Sequence, residues 1–336
     1  MNWKLFSAEE GKGWDRLLDP AGDDNPFQSE AWARYKRNSG WESQRWVASL
    51  NGKPPLCAVQ LLKKSLPLGR TALWAPGGPV IGFPDAGLED LRKILPEGIR
   101  QIGRVNRAAY GRFYALQPSV LETRRVFSGV CAVPKRPLGS GTTVQVNLDL
   151  SREDLLSGMD RKHRYLVRRV SDPPLRWSWG ASEVLVTDFS RLHAEMAAAK
   201  KVSAEDENDL ARLISAFREN ARILIGYAGD EPVTACLILL KGKNAFYWRA
   251  ATARKGRELS ASYAMIWELL KRLKEQGIRR FDFGGILPGV PSAAGINHFK
   301  QGFGGTQVEY LGEWEWARPS WIRWGVNAWV ACRRGR

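Results

Sequence analysis

Apolar and polar positions alternate in two separated stretches of the chain that follow one plan. In the first, RWVASL, an Asn-Gly turn and LCAVQLLKKSL predict a hairpin, and TALWAPGGPVIG continues as a strand ending in a Gly/Pro bend. GLEDLRKILPEGIRQIGRVNRAAYGRFYALQPSV then reads as helix followed by strand. In the second, ARILIGYAGDEPVTACLILLKGKNAFYWRAAT repeats the order strand, turn, strand, turn, strand. RKGRELSASYAMIWELLKRLKEQG follows as a helix, with Met265, Ile266, Leu269, Leu270 and Leu273 at helical spacing. The recurrence predicts an internal duplication of one α/β module.

The stretch Phe281–Gly305, FDFGGILPGVPSAAGINHFKQGFGG, breaks the alternation in an informative way. Phe281 and Phe283 flank Asp282 as in a strand, Gly284 and Gly285 end it, and a Pro/Gly/Ser/Ala loop follows. A short helix opens after Gly295. Ile296, Phe299 and Phe303 fall on one stripe, which is expected to face the core and to leave Lys300 beside it. A cation pinned at a loop mouth suits a site where negative charge develops; a solvated surface lysine is the alternative.

Between the two modules, VPKRPLGSG reads as a linker and TTVQVNLDL as a strand. Ser151 and Asp154 then start a helix as N-cap and N3. That helix carries Arg161, Arg164 and Arg168 at i, i+3, i+7, a basic stripe with almost no acid after Asp160. A solvated face and a polyanion-binding stripe both fit it. SRLHAEMAAAKKVSAEDENDLARLISAFREN reads as two helices without a sustained heptad. The tryptophan-rich end, WEWARPSWIRWGVNAWVACRRGR, breaks at Pro319 before a last short helix.

Composition adds three constraints. The chain has 336 residues, enough for about two domains. Its formal net charge is +16, which predicts attraction to nucleic acid, anionic lipid or phosphorylated substrates. Three histidines and four cysteines without CxxC spacing argue against a metal centre and fit reduced thiols, and no metal is expected. No apolar run reaches a membrane span, and the N-terminus lacks an apolar signal core, so a cytoplasmic chain is expected.

Several of these segments resemble one family, the Fem peptidoglycan-bridge aminoacyltransferases. FDFGGI and GINHFKQGF match that family's C-terminal signature. Asn25, Gln28, Ser29, Trp32 and Lys36 match, in order, its opening motif. Ala75–Val80 resembles a further family segment, but Gly77 stands where arginine is common, so no phosphate role is assigned there. The strand–glycine–helix order around Arg254–Leu259 also resembles the GNAT acetyltransferase superfamily, whose loop there cradles coenzyme A. This chain lacks the loop's second glycine and adds Glu258, so the coenzyme A site looks lost.

The resemblance implies an α/β (α+β) fold of two tandem GNAT-like domains. Each would be a mixed, mostly antiparallel sheet flanked by helices, in the compact form without a coiled-coil arm. The first would span 1–140, with a C-terminal helix at 318–336 packing back on it, and the second 141–317. It implies transfer of an amino acid from aminoacyl-tRNA, as co-substrate and with no other cofactor, to an amine of a peptidoglycan-precursor stem peptide. Lys300, Phe299 and Asp282 are the catalytic candidates, with Lys300 as oxyanion or phosphate stabiliser. If Asp282 is not catalytic, its expected partner is Arg279 or Arg280. Lys36, Gln28, Trp32, Lys200 and Tyr247 would bind substrate, and Arg161, Arg164 and Arg168 nucleic acid. The expected protein is a monomer with possible peripheral contact with anionic membrane. A coenzyme A- or carrier-dependent N-acyltransferase of the envelope and a non-enzymatic RNA-binding protein are the alternatives.

Overall fold

The computed structural model describes residues 2–6, 13–22, 24–49, 54–84, 86–169, 174–200 and 206–334. The chain divides into two compact units: Met1–Thr142 with Glu309–Arg336, and Thr143–Val308. The second boundary falls before residue 317, because Tyr310–Ala317 pair with a strand of the first unit.

The first unit's sheet runs in the order β1 (Asn2–Leu5), β2 (Glu42–Ser49), β3 (Pro55–Leu66), β4 (Arg70–Gly77), β5 (Ala108–Pro118), and then the strand Thr306–Ala317, β12. All neighbours are antiparallel except β4 and β5. A parallel pair needs a crossover, and the helix Leu88–Val105 supplies it. Its Leu91, Ile94, Leu95, Ile99 and Ile102 recur at helical spacing and are buried with Trp46, Leu61, Leu73 and Phe113.

The second unit repeats the plan. β6 (Thr142–Asn147) comes between the units in sequence. β7 (Arg176–Gly180), β8 (Ala221–Ala228), β9 (Glu231–Lys241) and β10 (Asn244–Thr252) form an antiparallel meander, and β11 (Arg280–Ile286) lies parallel to β10. The order is β6-β11-β10-β9-β8-β7. The crossover helix is Ala261–Glu275, whose Met265, Ile266, Leu269, Leu270 and Leu273 are all fully buried. At about 1.5–3 kcal/mol per large apolar side chain, this face holds the helix on the sheet. The duplicated, mostly antiparallel α/β modules expected from the sequence are therefore present.

Two local details differ from the sequence reading. The helix begun at Ser151 stops at Ser157, and a second, Arg161–Arg168, opens at Asp160. The last helix, Ile322–Arg334, is held in the first unit by Asn327 and Val330 rather than by tryptophans. The Asn327 amide donates to Glu315 and accepts from the Arg136 N–H. Trp321, Trp324 and Trp329 are exposed. No helix among the described residues is long and apolar enough to cross a membrane.

Candidate active site

In the second unit the parallel pair comes apart. β10 and β11 are in register only at Asn244–Arg280, Ala245–Phe281 and Phe246–Asp282. Beyond that point β10 carries a bulge between Tyr247 and Arg249, which turns its edge. β11 turns at Gly284, whose φ of +70° favours glycine and where a Cβ would stand 3.3 Å from the Tyr247 carbonyl. Thr143, on β6, holds the other side: its hydroxyl donates toward the Asp282 carboxylate and the Gly284 carbonyl. The result is a mouth lined by strand-end backbone.

The helix Ala294–Gln301 packs against this mouth. Its inward face is the apolar stripe expected from the sequence only in part: Phe303 is buried and Phe299 packs beside it. Ile296 is exposed, while Ala293, Asn297 and Lys300 are buried at spacings of four and three. Strand-end carbonyls explain why Asn297 and Lys300 also turn inward, because a buried acceptor without a donor is costly. Asn297 donates to the Leu287 carbonyl at 2.7 Å and accepts from its N–H at 3.0 Å. Lys300 Nζ donates to the Gly285 carbonyl at 2.7 Å. Burial lowers the Lys300 pKa to about 8, against the opposing pull of Asp282. A buried amine that titrates near neutrality, with one of its hydrogens committed to Gly285, can present the others to an oxyanion or phosphate.

Asp282 is held by Thr143, by the Gly284 N–H at 2.7 Å and by Gln145 at 3.0 Å. The expected Arg279 partner instead forms a salt bridge with Asp149 at 2.9 Å. With its oxygens accepting these bonds, Asp282 holds the strand end, and its charge acts on Lys300. Thr143 and Gln145 escaped the sequence reading, although their alternation in TTVQVN puts them on one strand face. The Phe299 ring packs on Tyr263 and Phe303, and its carbonyl meets His163 Nε2 at 3.1 Å. Tyr247 packs on Phe281 and Phe283, and burial pushes its phenol well up. Both aromatic residues support the mouth.

The candidates of the first unit form their own group. Ser29 caps the helix Glu30–Arg37, as expected, accepting from Trp32 N at 3.1 Å. Lys36 Nζ lies 4.8 Å from the Trp32 ring, 4.5 Å from Tyr35 and 5.9 Å from Trp74, so its charge is held over aromatic faces. Trp32 itself is buried. Gln28 is fully buried and its amide is spent within the fold, donating to the Pro76 and Gln60 carbonyls and accepting from Gln60 N. Asn25 donates to the Gly77 carbonyl at 2.8 Å. A Cβ at Gly77 would sit 2.1 Å from that amide, and its φ is +74°. Glycine at position 77 is thus required by the Asn25 contact.

Of the basic stripe, Arg161 and Arg168 are exposed, but Arg164 donates to the Ser157 and Met159 carbonyls at 2.6 Å each and caps the preceding helix. Lys200 ends the helix Glu183–Lys200, and its side chain lies outside the described residues. The Arg254–Glu258 segment is a helical turn. Its Arg257, Leu259 and Ser260 N–H groups bond to carbonyls within the turn, and Arg254 pairs with Glu258 at 3.0 Å. Two of the three histidines, His163 and His298, come together with Asp160, with ligand atoms within 4.8 Å of one another. Tetrahedral zinc ligands lie roughly 3.3 Å apart. The cluster would have to contract to hold an ion.

Residues 157–301 match the family of acetyltransferase (GNAT) domains. The fold is similar to the crystal structure of FemX, with a TM-score of 0.78 at 15% identity over 96% of this chain and 99% of that one. It is also similar to a tandem GNAT protein from the clavulanic acid biosynthesis pathway, with a TM-score of 0.59 at 12% identity over 94% of this chain and 98% of that one. In sequence, it is 27% identical over 90 residues to the aminoacyltransferase FemA of Staphylococcus epidermidis and 25% identical over 100 residues to that of Staphylococcus aureus. These matches take in 26% and 29% of this chain but only 22% and 24% of those relatives. The fold is therefore that of tandem GNAT proteins, with the GNAT domain match on its second unit. Within that class the chain is similar to the Fem proteins.

Proposed function

We propose that this chain moves an amino acid from aminoacyl-tRNA to an amine of a peptidoglycan-precursor stem peptide. The observation that carries the reading is the parted strand pair with Lys300 at its mouth. Aminolysis of an aminoacyl ester passes through a tetrahedral oxyanion. The ester is already activated, so positioning and a fixed cation supply much of the rate. Lys300 is the group that meets the oxyanion or an adjacent phosphate. Lys36 holds phosphates of the acceptor over its aromatic cradle. At the Arg254–Glu258 turn the first N–H faces the Glu195 carboxylate and Glu258 pairs with Arg254, so acidic groups crowd a would-be pyrophosphate cradle, which favours a tRNA-borne donor with no separate cofactor.

The GNAT match keeps one other reading in play, an N-acyltransferase fed by coenzyme A or a carrier. A single assay separates them. The purified chain is incubated with a muropeptide precursor and either charged total tRNA or acyl-coenzyme A, and the mass added to the precursor is read. Addition of an amino acid only with charged tRNA supports the proposal, and addition of an acyl group from coenzyme A overturns it.

A monomer acting in the cytoplasm, in peripheral contact with anionic membrane, suits such an acceptor. Exposed Trp321, Trp324 and Trp329, with Lys135 4.6 Å from the Trp324 ring, provide aromatic surface beside positive charge. Co-sedimentation with phosphatidylglycerol vesicles that survives replacement of all three tryptophans by Ala would remove that part of the reading.

A further inference from the structure

The first unit contains a basic cavity that neither the transfer reaction nor any sequence motif uses. It measures about 280 Å³ and is lined by Arg70, Gly103, Arg104, Arg107, Ala108, Trp316 and Arg318. Four of these seven lining residues are arginines and none is acidic. No carboxylate pairs with any of the four among the described residues. Crowded like charges oppose folding unless something neutralises them.

The cavity is also constructed rather than incidental. Arg70 acts as a clip, donating to the Arg107 carbonyl at 3.1 Å, the Ala108 carbonyl at 3.2 Å and the Arg318 carbonyl at 2.7 Å. Those bonds join the loop carrying Arg107 to the segment carrying Arg318, residues 211 positions apart in sequence. Arg107 has a left-handed backbone, φ +50°, a conformation that disfavours any side chain and concentrates at functional sites. Its guanidinium lies beside Gly69, with Nη1 3.7 Å from where a Cβ would stand. Trp316 lies close against Gly103, where a Cβ would come within 2.6 Å of the ring. An aromatic wall beside several guanidinium forks suits a ligand that carries both phosphate and a planar ring.

We propose that this cavity binds a phosphate-bearing ligand of nucleotide size, with its phosphates on Arg104, Arg107 and Arg318 and its ring against Trp316. The proposal stands apart from the transfer reaction, and a negative transfer assay leaves it intact. Its test is calorimetry on the full chain with ADP, inorganic pyrophosphate and adenosine as probes. ADP is expected to bind more tightly than pyrophosphate, adenosine not to bind, and ADP affinity to fall as salt is raised. Arg104→Ala and Arg107→Gly should each weaken ADP about tenfold, the effect of losing one charge-assisted contact. Arg107→Gly also relaxes the strained backbone, so its melting temperature should hold or rise while binding is lost. Displacement of ADP by a short single-stranded RNA assigns the natural phosphate to nucleic acid, and failure to displace assigns it to a free nucleotide. No ADP binding at millimolar concentration, or binding equal in wild type and both variants, overturns the proposal.

Discussion

The two units use the same strand plan and finish it in opposite ways. In the first, β4 and β5 stay paired from Thr71–Ala108 to Gly77–Ala115. In the second, β10 and β11 part after Phe246–Asp282. The neighbouring strand makes the difference. β5 is locked to β12 by Arg112 and Glu313, a salt bridge whose side chains are only 6% and 4% exposed, and the pair is sealed by the Arg136 carbonyl and the Gly139 N–H. On β11, Asp282 and Gly284 are tied to Thr143 of β6, and the register with β10 ends at Asp282. One unit spends its buried polar groups on closure. The other spends them on holding a gap open, with a lysine at its edge.

The contrast can be broken first at the closed end. Breaking a buried ion pair leaves an uncompensated charge, at a cost of about 3–5 kcal/mol. Glu313→Ala is therefore expected to lower unfolding stability by that amount in urea titrations. A loss below about 1 kcal/mol would mean that the closed pair is not what keeps β5 and β12 zipped.

At the open end the effect should fall on rate. Lys300→Met is expected to lower kcat by 10² to 10³, the scale for losing one oxyanion donor, or about 2.7–4 kcal/mol. Far-UV circular dichroism should be unchanged, because Asn297 still ties the helix to Leu287. A raised KM with normal kcat would assign Lys300 to ground-state phosphate binding instead.

Much of this was readable beforehand, for identifiable reasons. Long periodic segments such as Ala261–Glu275 have one consistent face, and duplicated hairpins announce themselves by recurrence. Lys300 stood out because a cation beside a glycine loop is chemically conspicuous. What escaped depends on partners distant in sequence. The inward turn of Asn297 and Lys300 is dictated by the carbonyls of Gly285 and Leu287, and periodicity carries no information about such acceptors. The Arg112–Glu313 lock and the arginine cavity join residues about 200 positions or more apart. The last helix packs back through Asn327 and Val330 while Trp324 and Trp329 are exposed, a choice of face that composition alone does not give.

A pH experiment sharpens the contrast further. Lys300 titrates at about 8 in the folded chain against an ordinary 10.5, so below pH 8 its burial as a cation costs roughly 3 kcal/mol. Between about pH 8 and 10.5 the unfolded chain binds the extra proton, and this cost fades as pH rises. The stability difference between wild type and Lys300→Met should therefore shift in favour of wild type from pH 7 to pH 10. Wild-type turnover should decline over the same rise through pH 8, as the cation is lost. A difference that is flat with pH would mean that Lys300 is not effectively buried.

The smallest effect concerns the basic helix Arg161–Arg168, where sequence spacing suggested three equivalent arginines. The structure separates them. Arg161 and Arg168 are exposed, while Arg164 satisfies the Ser157 and Met159 carbonyls that end the preceding helix. If the helix binds tRNA, each phosphate contact adds about 0.7–0.9 to the slope of log affinity against log salt. Replacing Arg161 and Arg168 together with Ala should lower that slope by about 1.5 and leave stability within about 0.5 kcal/mol. Arg164→Ala should do the reverse, costing about 1 kcal/mol of stability for its lost carbonyl bonds while changing the slope little. Equal slopes in all three proteins would return the helix to a solvated face. An equal slope loss from Arg164 would show that its side chain leaves the carbonyls when nucleic acid arrives.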